Sequence, residues 1–188
     1  MNRKEYINFT RTNNEPINMK NPEIARWMDE MAIESQSQLV KLNQLSDKAK
    51  ILKQFEILTD QKLDESFRCF LPFYTDYGKN IQIGKNVFIN KNCNFQDRGG
   101  IEIHDGALIG MNVNIATLNH GIKPNERHII YPQRVVIGKN AWIGSGVTIL
   151  PGVTIGENTI IAAGAILTKN AEENSIYAGV PAKKIKNL

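Results

Sequence analysis

From Ile81 onward an aliphatic or aromatic residue returns every six positions: Ile83, Ile89 and Phe95, then Ile103, Ile109 and Ile115, then Ile137, Ile143, Ile149, Ile155, Ile161 and Leu167. Ten of these twelve are isoleucine in a chain with 25 isoleucines among 188 residues, so composition would place only one or two there. The period therefore has a structural cause. Two residues before each sits a second apolar or small residue: Ile81, Val87, Cys93, Ile101, Ala107, Val113, Val135, Ala141, Val147, Val153, Thr159 and Ala165. Residues two apart share one side of extended chain, so each hexad predicts a short strand. Gly84, Gly110, Gly138, Gly144 and Gly156 follow the aliphatic position and mark turns. Three hexads close one triangular coil, and the twelve hexads predict about four coils. An amphipathic helix requires i, i+3, i+4, i+7 spacing and would be weakened by these glycines. Stacked coils cover one another's inward side chains, each contributing roughly 1.5–3 kcal/mol, so stability is collective.

The rhythm breaks twice. Asp97-Arg98-Gly99-Gly100 adds two residues, and the stretch from about Ala116 to Arg134 adds sixteen beyond one hexad. The second break predicts an extruded loop, and insertions in repeat folds often carry function. Ahead of the repeats, Asn21-Pro22-Glu23 has the chemistry of a helix start, with Ile24, Trp27, Met28 and Met31 on one face. A second helix is expected from Asp47 to about Leu58, capped by Ser46, with Ile51, Leu52 and Phe55 as its buried stripe. These helices are expected to cover the open end of the prism, whose unpaired strand edges would otherwise recruit other chains. The expected division is a helical segment over residues 1–66 and a β-helix over 67–188, with the loop at about 116–134 and a C-terminal cap at about 170–188.

Composition narrows the function classes. Met1 to Lys20 contains no apolar run, and the longest later run, Ile160 to Leu167, is far shorter than the roughly 20 residues that span a bilayer. A soluble, cytoplasmic protein without a secretion signal or membrane partner is expected. The two cysteines, Cys69 and Cys93, form no framework and read as free thiols. The net charge of +4 brings no basic stripe interleaved with aromatics, so nucleic acid is not expected as a partner. Lys183, Lys184 and Lys186 form one cluster, which reads either as a solvated tail or as a partner for phosphate.

Several stretches together carry a resemblance: Phe73-Tyr74-Thr75-Asp76-Tyr77-Gly78, Thr117-Leu118-Asn119-His120, Asn140-Ala141-Trp142-Ile143-Gly144-Ser145, Pro151-Gly152-Val153-Thr154-Ile155-Gly156, Thr168-Lys169 and Ala178-Gly179-Val180-Pro181-Ala182. On these residues the chain from Phe67 onward resembles the maltose and galactoside O-acetyltransferase branch of the hexapeptide-repeat acyltransferases. The resemblance implies an all-β fold, a left-handed parallel β-helix that forms homotrimers and binds acetyl-CoA as co-substrate between neighbouring prisms, with no metal. It also implies His120 as general base, Trp142 beside the active site, and Asp76 and Asn90 holding the acceptor hydroxyls. Ser145, Ala163, Thr168 and Lys169 fall at coenzyme positions along the groove, with Ser145 and Ala163 acting through backbone groups, and Lys183 and Lys186 near the phosphates. An imidazole with an ordinary pKa near 6.5 suits deprotonation of a hydroxyl at neutral pH.

Three departures from the family pattern concern the acceptor side. Gly121 stands where relatives often carry proline, Arg98 near a second acceptor-binding aspartate, and the first fifty residues lack the usual helical signature. The acceptor is thus expected to be a sugar or similar small hydroxyl compound, with serine, an antibiotic hydroxyl or an amino sugar as alternatives. Two other classes compete: a trimeric scaffold without catalysis, and a zinc carbonic anhydrase type, which needs three convergent histidines. His104 follows Ile103 at a turn while His120 and His128 share one loop, which is the wrong spacing for that metal site.

Overall fold

The computed structural model describes residues 2–12 and 15–188. Its core is a prism of parallel strands on three faces. The first face carries Arg68–Cys69, Phe88–Ile89, Leu108–Ile109, Trp142–Ile143, Ile160–Ile161 and Ser175–Gly179 in register, closed by the antiparallel strand Ala182–Asn187. The second stacks Phe73–Thr75, Cys93–Phe95, Asn114–Ile115, Thr148–Ile149 and Ile166–Leu167. The third stacks Ile81–Ile83, Ile101–Ile103, Val135–Ile137 and Thr154–Ile155, extended by a bridge from Ile155 to Ala171. All twelve periodic positions and all twelve partners two residues earlier are buried, the most open at 5 %. The stack holds five full coils and the start of a sixth, one more than the hexads predicted. The extra coil begins at Cys69 and Phe73, upstream of the regular period, where aromatic packing replaces isoleucine: Phe73 and Phe95 lie edge to face at 5.1 Å.

The glycines after the aliphatic positions serve a different purpose from the one expected. A Cβ on Gly144 would fall 2.5 Å from the Ala163 nitrogen of the next coil, so these positions are small because coils stack tightly there. The left-handed turn residue comes two positions later, and asparagine often fills it: Asn86, Asn112, Asn140, Asn158 and Asn174 all have φ between 52° and 57°. At one corner the asparagine amides form a ladder, Asn140 donating to Asn158 at 3.2 Å and Asn158 to Asn174 at 2.8 Å.

Helix α1 (Arg3–Thr12) lies in a segment where no sequence pattern predicted an element, and its Tyr6 packs at 5.6 Å on Trp27. Helix α2 (Pro22–Asn43) starts as expected, with the Asn21 side chain accepting from the Glu23 and Ile24 amides. Helix α3 (Lys48–Thr59) is capped by Asp47 rather than Ser46, its carboxylate accepting from the Lys50 N–H at 2.9 Å. Aspartate, one residue later, offers two acceptor oxygens and favourable charge at a helix start.

Helices α2 and α3 close the lower end of the prism. Leu39, Leu42, Phe55 and Leu58 join the same core as the inward isoleucines. Two amides also complete open strand edges: Asn43 pairs with both polar groups of the Phe73 peptide, and Gln61 with both of Ile83. Each side chain mimics the missing strand. Cys69 and Cys93 are buried free thiols, both pushed up by burial, Cys93 to about 11. No helix among the described residues is long and apolar enough to cross a membrane.

Candidate active site

Strand register writes a continuous stripe on the first face. Outward positions run Arg68, Phe88, Leu108, Trp142, Ile160, Ile176 and Lys186, an apolar row with a cation at each end. Trp142 is 53 % exposed, as its position after inward Ala141 predicts. Beside this row, at the corner leading to the second face, lies a groove of about 630 Å³ lined by Asn90, Trp142, Ser145 and Ala163 among others. The predicted residues Asn90, Trp142, Ser145 and Ala163 are thus brought together in one place.

Backbone donors face this corner. Gly144 and Gly146 give their N–H groups to the Ile161 and Met111 carbonyls, and Gly164 gives its own to Ser145. The N–H groups of Ser145 and Ala163 donate to no group among the described residues. The Ser145 hydroxyl accepts from Met111 N–H at 3.2 Å. Thr168 and Lys169 are exposed at a later corner of the stack, just after inward Leu167. Lys183 and Lys186 stand on the terminal hairpin without an ion pair among the described residues, whereas Lys184 lies 2.5 Å from Glu172.

The extruded loop is an ordered arm. Leu118–His120 pairs antiparallel with Ile129–Pro132, and Ile17–Asn18 adds a third strand from the N-terminal segment. Its apolar side packs into a small second core with Tyr6, Trp27, Met28, Met31 and Tyr77. His120 is exposed, and its Nδ1 lies 2.7 Å from the Arg127 carbonyl oxygen. A carbonyl only accepts, so in the neutral ring Nδ1 carries the proton and Nε2 is left with a free lone pair. Gly121 suits this arm better than proline would: its N–H donates to Ile129 at 3.0 Å, and a Cβ would meet the Glu126 carbonyl oxygen at 2.4 Å. Within one chain His120 lines neither the first-face groove nor the cavity that contains Asp76.

Asp76 sits apart from Asn90, in a shallow cavity of about 490 Å³ on the second face with Gln36, Tyr74, Asn94, Gln96 and Asn114. Its carboxyl accepts from the Asp97 N–H at 2.9 Å and lies 3.5 Å from the Arg98 Nε. Burial, and after it the Asp97 carboxylate, push the Asp76 carboxyl above the usual carboxylate range against the pull of Arg98. Asp97 is itself fully buried, receiving the Thr75 hydroxyl at 2.5 Å and the amides of Tyr77, Gly78 and Asn80 at 2.9–3.0 Å. Arg98 turns inward, donating to the Met28 carbonyl of α2 at 2.8 Å. Sequence reasoning missed this cluster; its one signal was that a carboxylate and a guanidinium occupied an insertion in an otherwise regular repeat. The three histidines do not converge, and among the described residues no group of three or more His, Cys, Asp or Glu is set to hold a metal.

Comparison with known proteins fits this geometry. The family model described as bacterial transferase hexapeptide (six repeats) matches residues 134–169, and that of the hexapeptide repeat of succinyl-transferase matches 80–116. A maltose O-acetyltransferase from Clostridium difficile 630 superposes with a TM-score of 0.88 at 30 % identity, covering 100 % of this chain and 98 % of that one. The chain belongs to the hexapeptide-repeat acetyltransferases. A second member of that family, a galactoside acetyltransferase in complex with coenzyme A, gives a TM-score of 0.81 at 28 % identity over 100 % of this chain and 91 % of its own. The galactoside O-acetyltransferase of Escherichia coli (strain K12) is 40 % identical over 121 residues, 62 % of this hexapeptide-repeat chain and 59 % of that protein. The match spans about three fifths of the length of such curated relatives.

Proposed function

We propose that this chain is an acetyl-CoA-dependent O-acetyltransferase acting on a hydroxyl of a sugar or similar small acceptor, with His120 as general base. The observation that carries the reading is the 2.7 Å contact from His120 Nδ1 to the Arg127 carbonyl, which fixes the ring and leaves Nε2 as proton acceptor. As the acceptor oxygen attacks the thioester carbonyl, Nε2 takes its proton; the C–S bond then breaks, and the proton passes to the departing thiolate. Such a base contributes typically 10²–10⁴-fold. The rest of the rate comes from holding both substrates in line and from donors aimed at the developing oxyanion.

The first-face groove supports the coenzyme half of the proposal. Its apolar row suits a pantetheine chain, the free N–H groups of Ser145 and Ala163 suit amide carbonyls, and Lys183 and Lys186 suit phosphates. Thr168 and Lys169 extend that path. Because His120 stands outside its own chain's groove, a homotrimer in which the arm of one copy reaches the groove of the next completes the site, with Asn90 and Asp76 holding acceptor hydroxyls. The test is a thiol-release assay with acetyl-CoA against a panel of sugars and small alcohols, alongside His120→Ala and sedimentation of the purified protein. The expected results are a trimer in sedimentation and thiol release that falls more than about a hundredfold in the variant. No thiol release from any acceptor, or an unchanged rate in His120→Ala, overturns the proposal.

A further inference from the structure

The two breaks in the six-residue rhythm fall against each other in space. Thr117, at the base of the arm and fully buried, donates its hydroxyl to the Gln96 carbonyl at 2.5 Å and accepts the Gly99 N–H at 2.8 Å. Its own carbonyl accepts from Gln133 N–H at 2.8 Å, which ties the outgoing and returning ends of the arm together. The fit leaves no slack, since a Cβ on Gly99 would lie 2.4 Å from the Thr117 carbonyl oxygen. Gly100 then accepts the Val135 N–H at 3.0 Å where the chain rejoins the stack. Gln96 reaches the arm a second time, its side-chain oxygen accepting from Leu118 N–H at 3.3 Å. Beneath the insertion, the Asp97 carboxylate fastens it to the first coil through Thr75, Tyr77, Gly78 and Asn80.

The two-residue insertion is therefore a socket, and the sixteen-residue one is seated in it. We infer that Thr117 is a positioning residue for His120: its hydroxyl, shared between the Gln96 carbonyl and the Gly99 amide, fixes the pitch at which the arm leaves the prism and so where Nε2 stands relative to the groove of the next copy. Only Leu118 and Asn119 separate Thr117 from His120, and both belong to the paired strand Leu118–His120, so a change at the base is carried to the imidazole through extended backbone. Valine is close to threonine in shape but lacks the hydroxyl, and so removes both bonds while filling the space.

This inference rests on the reading of His120 as base, and the experiment separates the two. In the full-length protein with acetyl-CoA and the best acceptor from the panel, Thr117→Val is expected to lower kcat about 10- to 100-fold, the scale on which small misplacements of reacting groups act. The KM for acetyl-CoA should stay within about twofold, because the groove belongs to other residues, and Thr117→Ser should recover most of the rate by restoring the hydroxyl. In a His120→Ala background, Thr117→Val should have no further effect, because it acts through the imidazole. A Thr117→Val protein that melts like the parent and keeps kcat overturns the inference, as does an equal loss in the His120→Ala background. Should Thr117→Val fail to fold, Thr117→Ala takes its place in the same cycle, and the same two results overturn the inference. If His120→Ala alone leaves the rate unchanged, the catalytic reading falls instead.

Discussion

The side-chain amide of Asn43 meets the peptide of Phe73 twice, donating to its carbonyl at 3.0 Å and accepting from its N–H at 2.9 Å. The last residue of α2 thereby replaces the hydrogen-bonding partner that the first strand of the second face lacks. Removing both partners with Asn43→Ala leaves a half-buried strand edge unpaired, at a cost of about 1–3 kcal/mol. Urea unfolding at fixed protein concentration is the measurement, since assembly makes apparent stability depend on concentration. An unchanged midpoint would show that the edge is satisfied by water.

The proposed role of Lys183 and Lys186 as partners for the coenzyme phosphates can be tested directly. Exposed ammonium groups paired with phosphate contribute little singly, so Lys183→Ala with Lys186→Ala together should cost about 1–2 kcal/mol, or about 5- to 30-fold in the KM for acetyl-CoA, with kcat nearly unchanged. Added salt should raise KM in the parent and hardly move it in the double variant. Equal salt sensitivity in both would remove these lysines from the site.

Two carboxyl groups predict opposite pH limbs for stability. The Lys62 ammonium 2.8 Å from Glu56, aided by the Leu63 amide and Lys53, lowers the Glu56 carboxyl to about 2. Its contribution is present above the ordinary carboxylate range and lost as pH falls through about 2, so Glu56→Gln should flatten the acid limb of a stability profile. Asp76, shifted upward, binds its proton more tightly folded than unfolded. Stability from that difference is full below the ordinary carboxylate range and declines as pH rises, so Asp76→Asn should remove that decline. Melting temperatures of both variants across pH decide the matter, and a parental profile in either would contradict its assignment.

How far the fold could be read from the chain depended on whether a residue's role repeats. The inward isoleucines act identically from Ile83 to Ile161, so burial alone imprints a period there that needs no outside knowledge, whereas the first coil, built on Cys69 and Phe73, carries no such mark. The corner asparagines also repeat, yet their signal, an αL residue just before each new strand, was hidden behind the glycines two positions earlier, which answer to coil spacing instead. Helix α1 was invisible because Tyr6 buries itself against Trp27, a contact set by tertiary packing and not by periodicity. The groove was legible only in part: Trp142 had to face outward by alternation, but nothing local distinguishes Asn90 as a groove residue from Asp76 as a neighbour of Asp97 and Arg98. The placement of Asp76 arises where the two-residue insertion and helix α2 meet, and such contacts leave no regular trace in sequence.

The arm leaves after Ile115 and the chain resumes at Val135, yet Val135 and Ile137 pair with Ile101 and Ile103 as though nothing had intervened. The stack that carries the fold is indifferent to what hangs between those points, provided that Thr117 and Gln133 keep the two ends pinched. The tip of the appendage, including the almost fully solvated Ile122, can thus change without touching the inward rows of any coil. A scaffold of this kind keeps its supporting rows and its one excursion as separate parts, the first held by inward aliphatics and the second by a small core of its own.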